Sequence, residues 1–81
     1  MKKVVRFTAS WCGPCKMLAK TLEEVETNVS IEVIDIDAQP DIAAEFGIRS
    51  VPTLVMMEDN AVTKRLVGNK TKQELEAFIN D

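Results

Sequence analysis

Two cysteines near the start of the chain are the residues best suited to chemistry. Cys12 and Cys15 are its only cysteines, and Gly13 and Pro14 separate them. Two thiols at this spacing, between a β-like run and a helical run, are typical of a redox dithiol. At positions i and i+3 of a starting helix, both sulfurs lie on one face. One thiolate could then attack a target disulfide while the other releases the resulting mixed disulfide.

Two alternatives would use the same cysteines without redox exchange. A structural zinc site usually has four Cys or His ligands, whereas this chain has two Cys and no His. A metal or an iron–sulfur cluster shared between two chains therefore stays as one alternative. A structural disulfide is the other, but closing so short a loop adds only roughly 2 kcal/mol of stability. We favour redox exchange over both.

The composition indicates one soluble globular domain over residues 1–81. The chain has 46% hydrophobic and 28% charged residues, and no apolar run is long enough to span a membrane. Arg6 interrupts the apolar run that would have to follow Met1 in a signal peptide. We therefore expect a cytoplasmic protein. Cytoplasmic thiols are kept reduced, so a cysteine pair there is more often catalytic than structural.

The charged residues exclude one class of partner and one mode of thiol activation. The formal net charge is −3 and the basic residues are scattered, which gives no surface for nucleic acid. Because the chain has no histidine, no imidazole can activate a thiol. A thiolate must instead be stabilised by a helix terminus, by cations or by hydrogen bonds.

The strands that position the dithiol follow from runs of β-forming residues. Four strands are predicted, over residues 2–8, 31–36, 53–57 and 61–67. Asp59 and Asn60 predict a two-residue hairpin turn between the last two. The first two strands enclose a helical run, and this order predicts a right-handed parallel β-α-β unit.

Three helices are expected between and after these strands. Pro14 suits the first turn of a helix, and apolar residues then recur at helical spacing as far as Val29. A short helix covers residues 40–46, with Gly47 as its C-terminal cap. A capping box over residues 71–74 opens the last helix. The order β-α-β-α-β-β-α predicts an α/β domain with a four-stranded mixed sheet flanked by helices and the dithiol at a strand's carboxyl end.

Three segments resemble the signatures of the thioredoxin family. They are residues 7–17 around the dithiol, residues 46–54 around Pro52, and the pair Val67-Gly68, in the family's order and spacing. The resemblance covers nearly the whole chain and implies a minimal thioredoxin fold. By the same resemblance, the chain lacks the family's first strand and first helix and is close to a glutaredoxin in length.

The resemblance assigns different roles to the two cysteines. Cys12 corresponds to the attacking thiol, at a helix start where free N–H groups and the helix dipole favour an anion. Cys15, one turn further and more buried, corresponds to the resolving thiol. Gly13 and Pro14 restrict the loop between them, and in this family that pair favours a reducing potential.

The resemblance also implies a substrate-binding surface around the sulfurs. Trp11 would flank them on the surface and contact substrate, although a lone tryptophan is more often a core residue. Pro52 would follow a cis peptide bond and lie against the cysteines, which leaves the backbone of Val51 free to pair with an extended substrate. Gly68 would let that substrate approach closely.

Arg6 departs from the family pattern. Thioredoxins commonly carry a buried aspartate at this position, paired with a lysine where this chain has Val33. An arginine there would stabilise a nearby thiolate if its charge were close and desolvated. It could equally swing outward and cover apolar surface with its stem, which we favour, leaving water to accept the Cys15 proton. Lys16 is a second cation beside the site, equally well explained as a solvated helix lysine.

The predicted function is that of a monomeric protein-disulfide reductase that binds no cofactor. The resemblance implies recharging by a thioredoxin reductase-like enzyme that carries FAD and uses NADPH, and targets that include ribonucleotide reductase. One alternative is a glutaredoxin-like carrier linked to glutathione, suggested by size alone. The other is a redox-independent structural subunit bound to a larger protein.

Overall fold

Four strands and three helices alternate along the chain in the predicted order. The computed structural model describes all residues from 1 to 81. The elements are β1 (Lys2–Thr8), α1 (Gly13–Glu23), β2 (Ser30–Asp35), α2 (Pro40–Glu45), β3 (Thr53–Glu58), β4 (Ala61–Val67) and α3 (Lys72–Asn80). The fold class expected from the sequence is confirmed, because the strands form one mixed sheet with helices on both faces.

The sheet has the strand order β2-β1-β3-β4, with β1 in an interior position. β1 runs parallel to β2 and antiparallel to β3, and β3 pairs with β4 in a hairpin. The predicted hairpin turn is confirmed, and Asp59 adopts a positive φ of 58° in it. Aspartate tolerates this left-handed conformation better than most residues, which suits it to the turn.

Alternate residues of β1 are buried in two different cores. Val4 faces α1 and α3, where it packs with Leu18 and Leu75. Val5 and Phe7 face the opposite side, in a second core that α2 completes. This alternation follows from the period of two along a strand, and it makes the molecule a three-layer arrangement of helices, sheet and helix.

α1 is shorter than its apolar periodicity predicts. The helix ends at Glu23, and Val25 and Val29 pack against the first core from the connection to β2. The hydroxyl oxygen of Thr27 accepts a hydrogen bond from the backbone N–H of Val29 at 3.0 Å. Threonine side chains that bond the nearby backbone in this way compete with helical hydrogen bonds, so the apolar spacing continues without the helix.

The other element boundaries differ from the predictions by about one residue. β2 begins and ends one residue earlier than predicted, and α2 ends at Glu45. Gly47 has a φ of 67°, as expected of a helix C-terminal cap. None of the helices has the length and apolar character needed to cross a membrane.

Candidate active site

The sulfur of Cys12 caps the first turn of α1. Cys12 has extended backbone angles directly before the helix, and its Sγ accepts a hydrogen bond from the backbone N–H of Cys15 at 3.1 Å. Helix caps usually use a side-chain oxygen for this bond, and here a sulfur takes that place. The sulfur therefore lies where unpaired N–H groups and the helix dipole stabilise negative charge.

Cys12 and Cys15 form a disulfide, with their Cα atoms 5.2 Å apart. Cys12 is 4% exposed and Cys15 is 1% exposed, so the second cysteine is the more deeply buried of the two. The pair packs with Ala9 and against the partly buried side chains of Ile36 and Val51. An incoming sulfur thus has the better access to Cys12.

The loop before β3 lies against the dithiol. The peptide bond between Val51 and Pro52 is cis, as the resemblance implies, and Pro52 is buried. The carbonyl oxygen of Val51 lies 3.8 Å from the Sγ of Cys12. Thr53 holds this loop, since its hydroxyl donates a hydrogen bond to the carbonyl of Ser50 at 2.8 Å.

Gly68, directly after β4, is hydrogen-bonded to this loop. Its backbone N–H donates to the carbonyl oxygen of Pro52 at 2.9 Å, and its φ is 93°. Val51 takes no part in the backbone hydrogen bonds of loops and caps. The N–H and C=O groups of Val51 are therefore available to an extended segment, which is the arrangement needed for strand addition.

Trp11 lies on the surface beside the dithiol. The side chain is 68% exposed, which rules out the core alternative. Its indole N–H donates a hydrogen bond to Oδ2 of Asp37 at 2.8 Å. Asp35 in turn shapes the loop that carries Asp37, because its Oδ1 accepts from the backbone N–H groups of Asp37 and Ala38 at 2.8 and 3.3 Å.

Sequence analysis missed the two aspartates. Asp35 and Asp37 lie at and just beyond the end of β2, which is the neighbour of β1 in the sheet. The carboxyl ends of adjacent parallel strands meet at one edge, so acidic residues there were a readable signal for the site.

Arg6 is half-buried on the face of the sheet that α1 covers. It shares a groove of about 250 Å³ with Cys15, Lys16 and Asp35. Burial lowers the pKa of Arg6, because desolvation disfavours its charged form. Lys16 is exposed at the rim of the groove, and Val33, at the family's lysine position, is half exposed.

Comparison with known protein families agrees with this geometry. The family model for thioredoxin matches residues 1–81. The chain belongs to the thioredoxin family. It is therefore a thiol–disulfide oxidoreductase of the kind that carries electrons on its cysteine pair and works without a bound cofactor. No group of three or more His, Cys, Asp or Glu side chains is arranged to hold a metal ion.

Individual thioredoxins resemble the chain over most of its length. It is 40% identical to a thioredoxin of Mycobacterium tuberculosis (strain ATCC 25618 / H37Rv) over 82 residues, which covers 96% of this chain and 71% of the relative. It is 42% identical to a thioredoxin of Chlamydia caviae over 80 residues, covering 95% of this chain and 78% of that relative.

Solved thioredoxin structures superpose closely on the chain. A mutant thioredoxin from Halobacterium salinarum NRC-1 gives a TM-score of 0.91 at 33% identity, covering 98% of this chain and 72% of that one. Oxidised mitochondrial thioredoxin 3 from Saccharomyces cerevisiae gives a TM-score of 0.89 at 35% identity, covering 99% of this chain and 77% of that one. Members of this family work with a reductase and with protein disulfide substrates.

Proposed function

We propose that the chain is a protein-disulfide reductase in which Cys12 attacks and Cys15 resolves. The observation that carries this assignment is the position of the Cys12 sulfur at the N-terminal cap of α1, where it accepts the N–H of Cys15. Hydrogen bonding and the helix dipole stabilise a thiolate at that atom. The deeper burial of Cys15 suits a thiol that reacts only with its neighbour.

The exchange proceeds in two balanced steps. The thiolate of Cys12 forms a bond to one sulfur of the substrate disulfide, and the other substrate sulfur leaves with the electron pair and takes up a proton. The thiolate of Cys15 then forms a bond to the Sγ of Cys12, which breaks the mixed disulfide. The second substrate sulfur leaves in the same way. Two electrons and two protons pass to the substrate, and Cys12 and Cys15 end as a disulfide.

The substrate is proposed to bind as an extended segment beside the dithiol. Val51 offers its backbone groups next to Cys12, and Gly68 lines the same loop without a side chain. Trp11, Met17 and Val67 are 68%, 61% and 55% exposed, which is unusual for large apolar side chains. Exposed apolar side chains of this kind, with Trp11 next to the reactive cysteine in the chain, support protein rather than small-molecule disulfides as substrates.

We further propose the compartment, the oligomeric state and the partners of the protein. It would act in the cytoplasm as a monomer, with its 81 residues as one domain. A flavin-containing thioredoxin reductase would recharge it with electrons from NADPH, and ribonucleotide reductase would be among its targets. These proposals follow from family membership and from the oxidisable Cys12–Cys15 pair.

Mixed-disulfide trapping tests the assignment of the two cysteines. A Cys15→Ser variant incubated with an oxidised protein substrate such as insulin should accumulate a covalent complex that dithiothreitol releases. A Cys12→Ser variant is the matched control and should form little or none. Accumulation with Cys12→Ser instead would reverse the two roles, and accumulation with neither would contradict the reductase proposal.

A further inference from the structure

Three charged side chains from three different elements meet Cys15 in one groove. Arg6 comes from β1, Lys16 from α1 and Asp35 from β2, and the groove has a volume of about 250 Å³. Cys15 is 1% exposed, so the charges that line this groove dominate the electrostatic environment of its sulfur. The groove lies on the side of the sheet that α1 covers.

Arg6 lacks a partner of opposite charge in the disulfide form. Its neighbours across the sheet are Val33 and Leu54, which are apolar. None of the three ion pairs in the structure involves Arg6. Asp35 lines the same groove, but one of its carboxylate oxygens is already bonded to two backbone N–H groups.

A half-buried guanidinium without an anion is less stable than one that has an anion nearby. Arginine stays protonated at neutral pH even though burial lowers the pKa of Arg6. Disulfide sulfurs carry no charge, whereas the reduced Cys15 can lose its proton and become an anion in the same groove. Reduction therefore supplies the negative charge that Arg6 lacks.

We propose that Arg6 stabilises the Cys15 thiolate and that Asp35 opposes this effect, so that the two set the pH at which Cys15 can release substrate. The proposal rests on the resolving role of Cys15 proposed above. In that step Cys15 gives its proton to solvent in the groove, and the thiolate attacks the Sγ of Cys12. The substrate thiolate that leaves takes up a proton from solvent.

The test measures the thiol pKa of Cys15 alone. In a Cys12→Ser background Cys15 is the sole thiol, and serine preserves the helix cap because its oxygen can accept the Cys15 N–H. The ultraviolet absorbance of the thiolate, followed from about pH 5 to about pH 10, gives the thiol pKa without requiring a reagent to reach the buried sulfur. Variants Arg6→Met, Arg6→Lys and Asp35→Asn are compared in this background. Lys20→Gln is the control, because it removes an exposed charge from α1, the helix that carries Cys15.

Removing the charge of Arg6 and removing the charge of Asp35 should shift the pH midpoint of the Cys15 titration in opposite directions. Arg6→Met removes a cation and keeps an apolar stem, so the thiol pKa should rise and the ratio of thiolate to thiol at pH 7 should fall by at least about threefold. Arg6→Lys should restore most of that ratio. Asp35→Asn keeps an oxygen that can accept the two backbone N–H groups of the loop. Because it removes a negative charge, it should lower the thiol pKa. Lys20→Gln should change little, because exposed charges are screened by salt.

Two results would overturn the proposal. One is an unchanged pH midpoint in Arg6→Met, and the other is a shift in the same direction for Arg6→Met and Asp35→Asn, which would indicate a general structural disturbance. Circular dichroism of each variant checks that it is folded. Because this titration needs no disulfide substrate, a negative result here would leave the trapping experiment, and with it the proposed reductase function, unaffected.

Discussion

The sulfur of Cys12 caps the start of α1 and, in the proposed reaction, is also the attacking thiol. The Sγ of Cys12 accepts the N–H of Cys15, which would otherwise be unpaired at the helix start, and this hydrogen bond also stabilises negative charge on the sulfur. The carbonyl of Val51, 3.8 Å away, marks where a substrate backbone would begin to pair. In the proposed reaction, local helix geometry therefore does the work that a histidine does in other thiol enzymes, and the chain has no histidine.

Asp37 is predicted to contribute to substrate binding through Trp11. An Asp37→Ala variant loses the acceptor of the 2.8 Å indole hydrogen bond and should leave the tryptophan less well positioned. We expect the KM for a protein disulfide to rise roughly fivefold, the equivalent of one hydrogen bond of about 1 kcal/mol. Insulin reduction measures this, with a small aromatic disulfide as the substrate that should be little affected.

Asp37→Asn is the matched control for that prediction. The amide oxygen of asparagine can still accept the indole N–H, so this variant should behave nearly like the original protein. Equal KM values in all three proteins would show that the hydrogen bond has no role in binding. A fall in activity toward both substrates would point instead to damage at the dithiol itself.

Sequence reasoning at the residue scale succeeded for local features and failed for contacts across the sheet. The Cys12–Cys15 motif and the cis bond before Pro52 belong to contiguous segments that the family pattern contains. The Trp11–Asp37 bond joins residues 26 apart, and the Arg6 groove requires α1 to lie over β1 and β2. The acidic residues at the end of β2 indicated which edge of the sheet belongs to the site, but the individual contacts exist only after the elements pack.

The elements were predictable where a local chemical signal marks their ends. Pro14 lies in the first turn of α1, Gly47 follows α2 with a positive φ, and Asp59 forms the hairpin turn. The end of α1 was missed because apolar spacing continues to Val29 while Thr27 already bonds the backbone. Apolar periodicity reports burial, and residues in an irregular connection can be buried as well as those in a helix.

The cap of α3 provides a prediction at the scale of one element. The hydroxyl oxygen of Thr71 accepts the N–H of Glu74 at 3.2 Å, while the reciprocal bond of a full capping box is replaced by one from the hydroxyl to the Glu74 carboxylate. Thr71→Ala should therefore lower the free energy of unfolding by about 1 kcal/mol, measured by urea denaturation.

Thr71→Ser is the companion variant, because it keeps the hydroxyl and should retain most of the stability. Both variants should reduce insulin at the original rate, since α3 supplies none of the residues placed at the dithiol. An unchanged urea midpoint in Thr71→Ala would mean that packing of Leu75 and Ile79 alone holds the start of α3.

At the scale of the whole molecule, two cores hold a sheet whose one end carries the chemistry. The cores on opposite faces of β1 and β3 fix the sheet between α1 and α3 on one side and α2 on the other. The carboxyl ends of β1 and β2, the loop before β3 and the end of β4 then meet around the disulfide. The largest cavity, about 610 Å³, lies at the opposite end of β1 and β2 and contains neither cysteine.

The equilibrium reduction potential of the Cys12–Cys15 pair tests the central claim most directly. It is measured by equilibrating the protein with defined ratios of reduced and oxidised dithiothreitol at neutral pH and counting free thiols. A reductase should give roughly −270 mV, the potential characteristic of thioredoxin, so that electrons flow from this pair to target disulfides. A potential of about −180 to −120 mV would instead characterise an isomerase or an oxidant, and it would contradict the proposed direction of electron transfer.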